Sequence, residues 1–332
     1  MFASGQGGGG GIPGIDWTLR ASANDLLWRG LTYGAGLFVA VAQSGIGNRV
    51  MTSPDGITWT AQLSAANNEW MDVTHANNLF VAVAQTGIGN RVMTSPDGVT
   101  WTGRVSAADN GWRGVAFGAN LFVAVADTGI GNRVMTSPDG IVWTSRLYPD
   151  DANWIAVTFA NNLFVAVGAV NAGVGAGFLA MTSPDGINWT RRVTPVDNIW
   201  ESVTFGNNLF VASAISGVGN RIMTSPDGIN WTIRVSAADR AWRGINFNAG
   251  LFVTVATDAP GPAPFDSVMT SPDGITWTSR TVANNLGWAT SNHGGNMFVA
   301  LAISGAGQRV MTSGSLQRRR PYGQPRPGFD GV

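Results

Sequence analysis

The sequence predicts an all-β fold, a seven-bladed β-propeller of four-stranded antiparallel blades, and three observations predict it. The decapeptide Met181-Thr-Ser-Pro-Asp-Gly-Ile-Asn-Trp-Thr190 recurs almost unchanged with its Met at 51, 93, 135, 181, 223 and 269, and a broken seventh copy begins at Met311. The spacings are 42, 42, 46, 42, 46 and 42 residues. Self-similarity at such a period is the signature of a repeat architecture. The chain also holds 14 Trp, and they fall into two sets of seven at fixed repeat positions.

Each element of the unit has a local reason. Pro-Asp-Gly between two short apolar runs is turn chemistry: Pro presets φ, Asp bonds its own backbone, and Gly accepts φ > 0. One copy therefore reads as strand Arg49–Thr52, turn Ser53–Gly56 and strand Ile57–Thr60. Two further strands precede each turn, such as Trp112–Phe117 and Leu121–Ala126 in the third unit. Four short strands per 42 residues match a propeller blade. An α-solenoid needs helices of about ten or more residues with 3.6 periodicity, and the pattern has none.

The two Trp sets set the blade number. Trp28, Trp70, Trp112, Trp154, Trp200, Trp242 and Trp288 open the inner strands; Trp17, Trp59, Trp101, Trp143, Trp189, Trp231 and Trp277 belong to the outer ones. The last unit lacks an outer strand after Met311-Thr312-Ser313, and the first Trp-Thr lacks a hairpin partner. Ile15–Arg20 is therefore expected to close blade seven.

The recurring Ser-Pro-Asp-Gly-Xaa-Xaa-Trp-Thr resembles the Asp-box, or BNR repeat, of sialidase-superfamily propellers. That pattern is usually Ser-x-Asp-x-Gly-x-Thr-Trp, so this version is one residue shorter between Asp and Gly. The resemblance spans residues 14–313 and implies structural roles for Asp55, Asp97, Asp139, Asp185, Asp227 and Asp273, on peripheral hairpins away from any active site.

The repeat makes residues 14–313 one domain, flanked by a Gly-rich arm (1–13) and an Arg/Pro-rich tail (314–332). The arm has neither a basic start nor an apolar core, unlike a secretory signal. No apolar run approaches the ~18 residues of a membrane span. There is no Cys, hence no disulfide or thiolate chemistry. Charged residues make up 12% of the chain, every basic residue is Arg, and the net charge is zero. The tail carries Arg318, Arg319, Arg320 and Arg326 against Asp330, leaving sixteen Arg against nineteen acids elsewhere, so a nucleic-acid surface is not expected. Repeated Arg stand before the Ser-Pro-Asp-Gly turn (Arg49, Arg91, Arg133, Arg221, Arg309) and after the outer Trp (Arg104, Arg146, Arg192, Arg234, Arg280). They read as stacking on Trp or pairing with neighbouring strands.

Two regions vary where the repeat is otherwise constant. Four extra residues lie between the second and third strands of two units, in Gly168–Gly177 and Thr257–Asp266. The connections between blades vary too, as in Tyr148-Pro-Asp-Asp-Ala152. Both belong to one rim, opposite the Ser-Pro-Asp-Gly turns. Variation on one face of a repeated scaffold is where binding is built, or is drift in unconstrained loops. The second region is the position after each inner Trp: Arg29, Met71, Arg113, Ile155, Glu201, Arg243 and Ala289, expected to ring the channel mouth. The candidate ligand contacts are Arg29, Arg113, Tyr148, Asp150, Asp151, Glu201, Arg243, Asp258, Phe265 and Asp266, with the inner Trp as either stacking platforms or blade packing.

Catalysis is not expected from this inventory. The sialidase-like resemblance implies an Arg cluster, a Tyr nucleophile with a Glu partner and an Asp acid/base. Only Tyr33, Tyr148 and Tyr322 exist, and Glu201 has no Tyr in its own or adjacent blades. Asp150 and Asp151, adjacent on a turn, read as caps rather than an acid/base pair. His75 and His293, without clustered carboxylates, do not make a metal site, and no cofactor is expected. Gly45–Asn48 and its copies precede no helix, so they are not phosphate loops.

What remains is recognition. A Gly-rich arm, a Cys-free propeller and a short basic tail together are similar in style to propellers of phage virions and their tail or fibre appendages. That resemblance implies a virion component docked on other subunits through its arm and through Arg318, Arg319, Arg320, Tyr322, Arg326 and Phe329, presenting its rim to a host glycan or surface protein. A soluble glycan-binding lectin is the alternative, with an extracellular or cell-surface location. An assembly factor of the photosynthetic type, normally carrying a targeting segment, is a third reading, and a glycoside hydrolase the last.

Overall fold

The computed structural model describes residues 12–148, 151–171, 177–257, 265–282, 284 and 286–315. Among them, twenty-eight strands form seven four-stranded antiparallel sheets. Blades 1 to 6 each take four consecutive strands, and blade 7 takes three from the C-terminal end plus Thr18–Arg20. Thr18–Arg20 pairs with Val310–Thr312, so one blade is sewn from both ends of the chain. The expected seven blades and their closure are the observed ones.

Tight hairpins join the first two strands of each blade. In blade 2, Asn77 (φ 50°) and Asn78 (φ 57°) both sit in the left-handed region, as a two-residue hairpin with primed turn geometry requires. The second strand is an unbroken apolar run, Leu79–Ala84 in blade 2, because both of its faces are covered. Its Phe80, Val81, Ala82, Val83 and Ala84 are wholly buried. Seven cores result, each set between neighbouring blades; that of blade 1 joins Trp28, Phe38 and Met51 to Met297, Val299 and Leu301 of blade 7. The inner Trp residues are all 0% exposed. They are blade-to-blade packing, so the reading of them as stacking platforms is set aside. Four donate their indole N–H to a carbonyl four residues earlier, for example Trp112 to Ala108 at 3.0 Å.

The Ser-Pro-Asp-Gly turns are built alike. Asp139 Oδ1 accepts N–H bonds from Ile141 (2.8 Å) and Val142 (2.9 Å) and a hydroxyl bond from Ser137 (2.9 Å). Trp143 Nε1 donates to the Gly140 carbonyl at 3.0 Å. These bonds correct the expected outer strand. It runs over Thr60–Gln62, not Ile57–Thr60, because Asp55 draws the N–H groups of Ile57 and Thr58 into the turn. The last strand of blade 7 likewise reaches Ser315, past the expected boundary at 313.

The repeated Arg residues divide into two structural classes. Those after the outer Trp pair with the neighbouring strand as expected: Arg146 Nε donates to Thr136 Oγ1 at 2.8 Å. Those before the turn bond to backbone carbonyls of the rim. Arg49 donates to the carbonyls of Gly45 (2.8 Å) and Gln43 (2.9 Å) in its own blade, and of Asn68 (2.7 Å) in the next connection. This knits the rim loops to one another. Rim and turn therefore occupy opposite ends of each blade.

Candidate functional site: the channel mouth

One irregularity aims the site. In all seven blades the ladder slips by one residue just after the inner Trp, as between Trp28 and Gly30 or Trp200 and Ser202. A bulge turns a side chain out of the ladder. Here it sends the residue after each Trp into the central channel, a cavity of about 460 Å³ that all seven of these residues line. Glycine permits the close approach beneath: a Cβ on Gly30 would lie 2.7 Å from Asp72 Cα in the next blade.

Four charged side chains from four blades converge there: Arg29, Arg113, Glu201 and Arg243. Glu201 Oε1 accepts from Arg243 Nη1 and lies 3.5 Å from Arg113 Nη2. Arg113 Nη1 is also 3.4 Å from Asp127 Oδ2. Arg29 stands differently. Its Nε donates to Gln43 Oε1 at 2.8 Å, and Gln43 Nε2 in turn donates to Glu69 Oε2 at 3.1 Å. No carboxylate among the described residues makes an ion pair with Arg29. Burial, then repulsion from Arg243 and Arg113, outweighs the attraction of Glu201 and Glu69 and pushes the Arg29 guanidinium down to about 10. A half-buried cation near two others costs stability that a further anion offsets.

Deeper in the channel, Asp72 is held by two backbone donors. Its Oδ2 accepts from Val115 N of blade 3 and its Oδ1 from Val73 N, each at 2.9 Å. Burial nevertheless pushes this carboxyl up to about 6. Sequence reasoning missed Asp72, Gln43 and Asp127. Asp72 had a signal: it stands in the column occupied by Gly30, Gly114 and Gly244 in other blades.

The rim candidates do not converge on this site. Tyr148 is corrected from ligand contact to core: it is 6% exposed and packs on Trp154 with ring centroids 6.4 Å apart. Asp151 Oδ1 accepts from Gly131 N at 2.7 Å and lies 3.6 Å from Arg133 Nε, pinning the rim loop. Asp266 is taken up by Arg240. Phe265 opens the third strand of blade 6 and packs against the core between blades 6 and 7. Asp150, Asp258 and the tail residues Arg318, Arg319, Arg320, Tyr322, Arg326 and Phe329 lie outside the described residues. Among the described residues no group of three or more His, Asp or Glu side chains is placed to hold a metal ion.

No protein-family model matches the sequence, and no curated protein matches it. Solved structures do resemble the fold. YCF48 from Cyanidioschyzon merolae is similar at a TM-score of 0.64 and 14% identity, over 90% of this chain and 98% of that one. A second structure, YCF48 bound to D1 peptide, has a TM-score of 0.67 and 14% identity, over 91% and 99%. A catalytically inactive virginiamycin B lyase from Staphylococcus aureus with quinupristin has a TM-score of 0.75 and 12% identity, over 90% and 98%. At such identities the likeness is one of fold. It corrects one expectation: the same architecture carries a lyase, so an all-β propeller of this kind gives no ground for excluding catalysis.

Proposed function

We propose that this protein is a recognition propeller whose channel mouth takes an anionic group of its partner, a carboxylate or an equivalent oxyanion. The single observation that carries this is Arg29. Its half-buried guanidinium is repelled by Arg243 and Arg113, and its hydrogen bond is to the neutral Gln43. Glu201 is ion-paired with Arg113 and Arg243, and among the described residues no carboxylate makes an ion pair with Arg29, which Glu201 and Glu69 attract only from a distance. Planar bidentate capture of a carboxylate is what a guanidinium does best. The fold is compatible with such a role, since one structure similar to this chain is YCF48 bound to D1 peptide.

The test is a thermal-shift and calorimetric titration with succinate, inorganic sulfate and neutral glucose. Succinate or sulfate is expected to raise the melting temperature and glucose to leave it unchanged. Arg29→Gln is expected to abolish the anion effect while retaining the fold. Equal response of wild type and Arg29→Gln overturns the reading.

The basic composition of the tail supports a second part of the proposal, that the termini dock the protein on a larger particle, a virion, with the rim turned to a host glycan or surface protein. Removing residues 316–332 is then expected to end co-purification with particles. Unchanged association after that removal refutes the docking role.

A further inference from the structure

Resting on the reading of the mouth as an anion site, a second cavity bears on the rest of the ligand. It has a volume of about 410 Å³, spans blades 3 to 5 on the rim, and shares Arg113 and Ile155 with the channel. The repeat explains why a groove opens there. In blades 1 and 3 polar bridges cross the seam at the mouth: Arg29 donates to Gln43 and Gln43 to Glu69, and Gln85 and Arg113 both donate to Asp127. Blade 4 has Ala169 in the column of Gln43, Gln85 and Asp127, and Ile155 in the column of the arginines. The bridge is gone and an apolar floor of Ile155, Ala169, Val170 and Ile199 takes its place.

At the edge of this floor stands Asp197. Its counterparts each accept a rim glycine N–H and lie beside an arginine: Asp109 is 3.7 Å from Arg91, Asp151 3.6 Å from Arg133, Asp239 3.8 Å from Arg221 and Asp25 3.7 Å from Arg309. Asp197 keeps the first contact, accepting from Gly177 N at 2.6 Å. It has lost the second, because the arginine position is Leu179 in blade 4, and Leu179 is fully buried. Among the described residues Asp197 has no ion-pair partner. It is an exposed anion beside an apolar groove that leads to a cationic mouth.

We infer that the groove is a second subsite, and that the ligand is an extended peptide segment carrying an acidic side chain for Arg29, apolar side chains for the Ile155–Ile199 floor and a basic side chain for Asp197. Such a segment supplies both charges and the apolar spacer in one chain. The alternation also sets its direction, acid at the channel and base towards the rim.

An array of N-acetylated, C-amidated peptides tests this, each with one Asp and one Lys separated by one to four Leu. Matched peptides carry Gln for Lys or Asn for Asp. Wild-type protein is expected to retain the Asp–Lys peptides about three- to fivefold better than the Asp–Gln ones, the scale of a partly exposed ion pair. Asp197→Asn is expected to remove that preference without loss of fold, since Asn67 makes the same glycine contact in blade 1 at 2.6 Å. Asp239→Asn, whose arginine is present, is expected to leave it intact. If Asp-containing peptides bind with no preference for Lys, or if Asp197→Asn keeps the preference, the groove inference is overturned while the mouth reading stands. If no Asp-containing peptide is retained by wild type, both fall.

Discussion

The two ends of the blades obey different rules. At the turn end, six copies of one motif make the same bonds, and each Asp serves its own hairpin. At the mouth, seven equivalent positions hold Arg29, Met71, Arg113, Ile155, Glu201, Arg243 and Ala289, and the charged ones meet across the channel. The difference teaches that repetition marks what every blade needs to exist. Departure from repetition marks what only the assembled ring can use. The two ends also titrate in opposite directions. Backbone and side-chain donors hold the carboxyls of Asp97 and Asp139 below the usual range. The same donors outweigh desolvation at Asp185 and Asp227. In the channel, burial outweighs two donors and pushes Asp72 up to about 6.

The comparison breaks first at the repeated positions if the largest effect is absent. Trp112→Ala, removing a wholly buried inner Trp, is expected to cost about 3–5 kcal/mol. Thermal or urea unfolding measures it, and a cost below about 1 kcal/mol contradicts the packing role. Next comes the pH dependence of Asp72. Its folded value lies above the ordinary ~3.9, so its contribution is full below that value and is lost as pH rises through about 6. The loss is at most about 3 kcal/mol. Asp72→Ser borrows the residue of blade 5, where Ser202 Oγ accepts from Ile245 N at 3.3 Å. It is expected to flatten unfolding free energy between pH 4 and pH 7.

Smaller effects sharpen the contrast. Asp139→Ala removes the acceptor of two N–H groups on an exposed turn and is expected to cost about 1 kcal/mol. The turn carboxyls have depressed folded values, so their stabilisation is present above the ordinary carboxylate range and is lost as pH falls below it, through the folded value. In Asp139→Ala the acid-side loss measured by chemical unfolding is accordingly shallower than in wild type. Smallest is Ile88→Ser on the rim, where the side chain is 91% exposed. It is expected to change stability by less than about 0.5 kcal/mol, and a larger change assigns that tip a packing role.

Much of the molecule was legible in order. The spacing of the Ser-Pro-Asp-Gly motif and the two Trp sets led to seven blades, and the orphan Trp17-Thr18 led to the closure of blade 7. The mouth column was legible as well, since Arg29, Arg113, Glu201 and Arg243 break an otherwise uniform strand. Tyr148 misled because a large side chain in a varied connection reads as a rim contact, whereas the local chain turns it inward against Trp154. Gln43 and Asp127 carried no motif. Their meaning lies in partners 26 and 42 residues away in sequence, Glu69 and Gln85.

Local chemistry and period, which are properties of the chain alone, determined the strands, the turns, the blade number and the way the ring closes. Only the tertiary structure decided that a bulge after each inner Trp aims its neighbour into the channel. Only there does Arg29 emerge without an ion-pair partner among the described residues, while Glu201 serves two arginines. The physical reason is that ion pairing across a ring depends on distances between blades, set by packing of all seven, and no single repeat contains them.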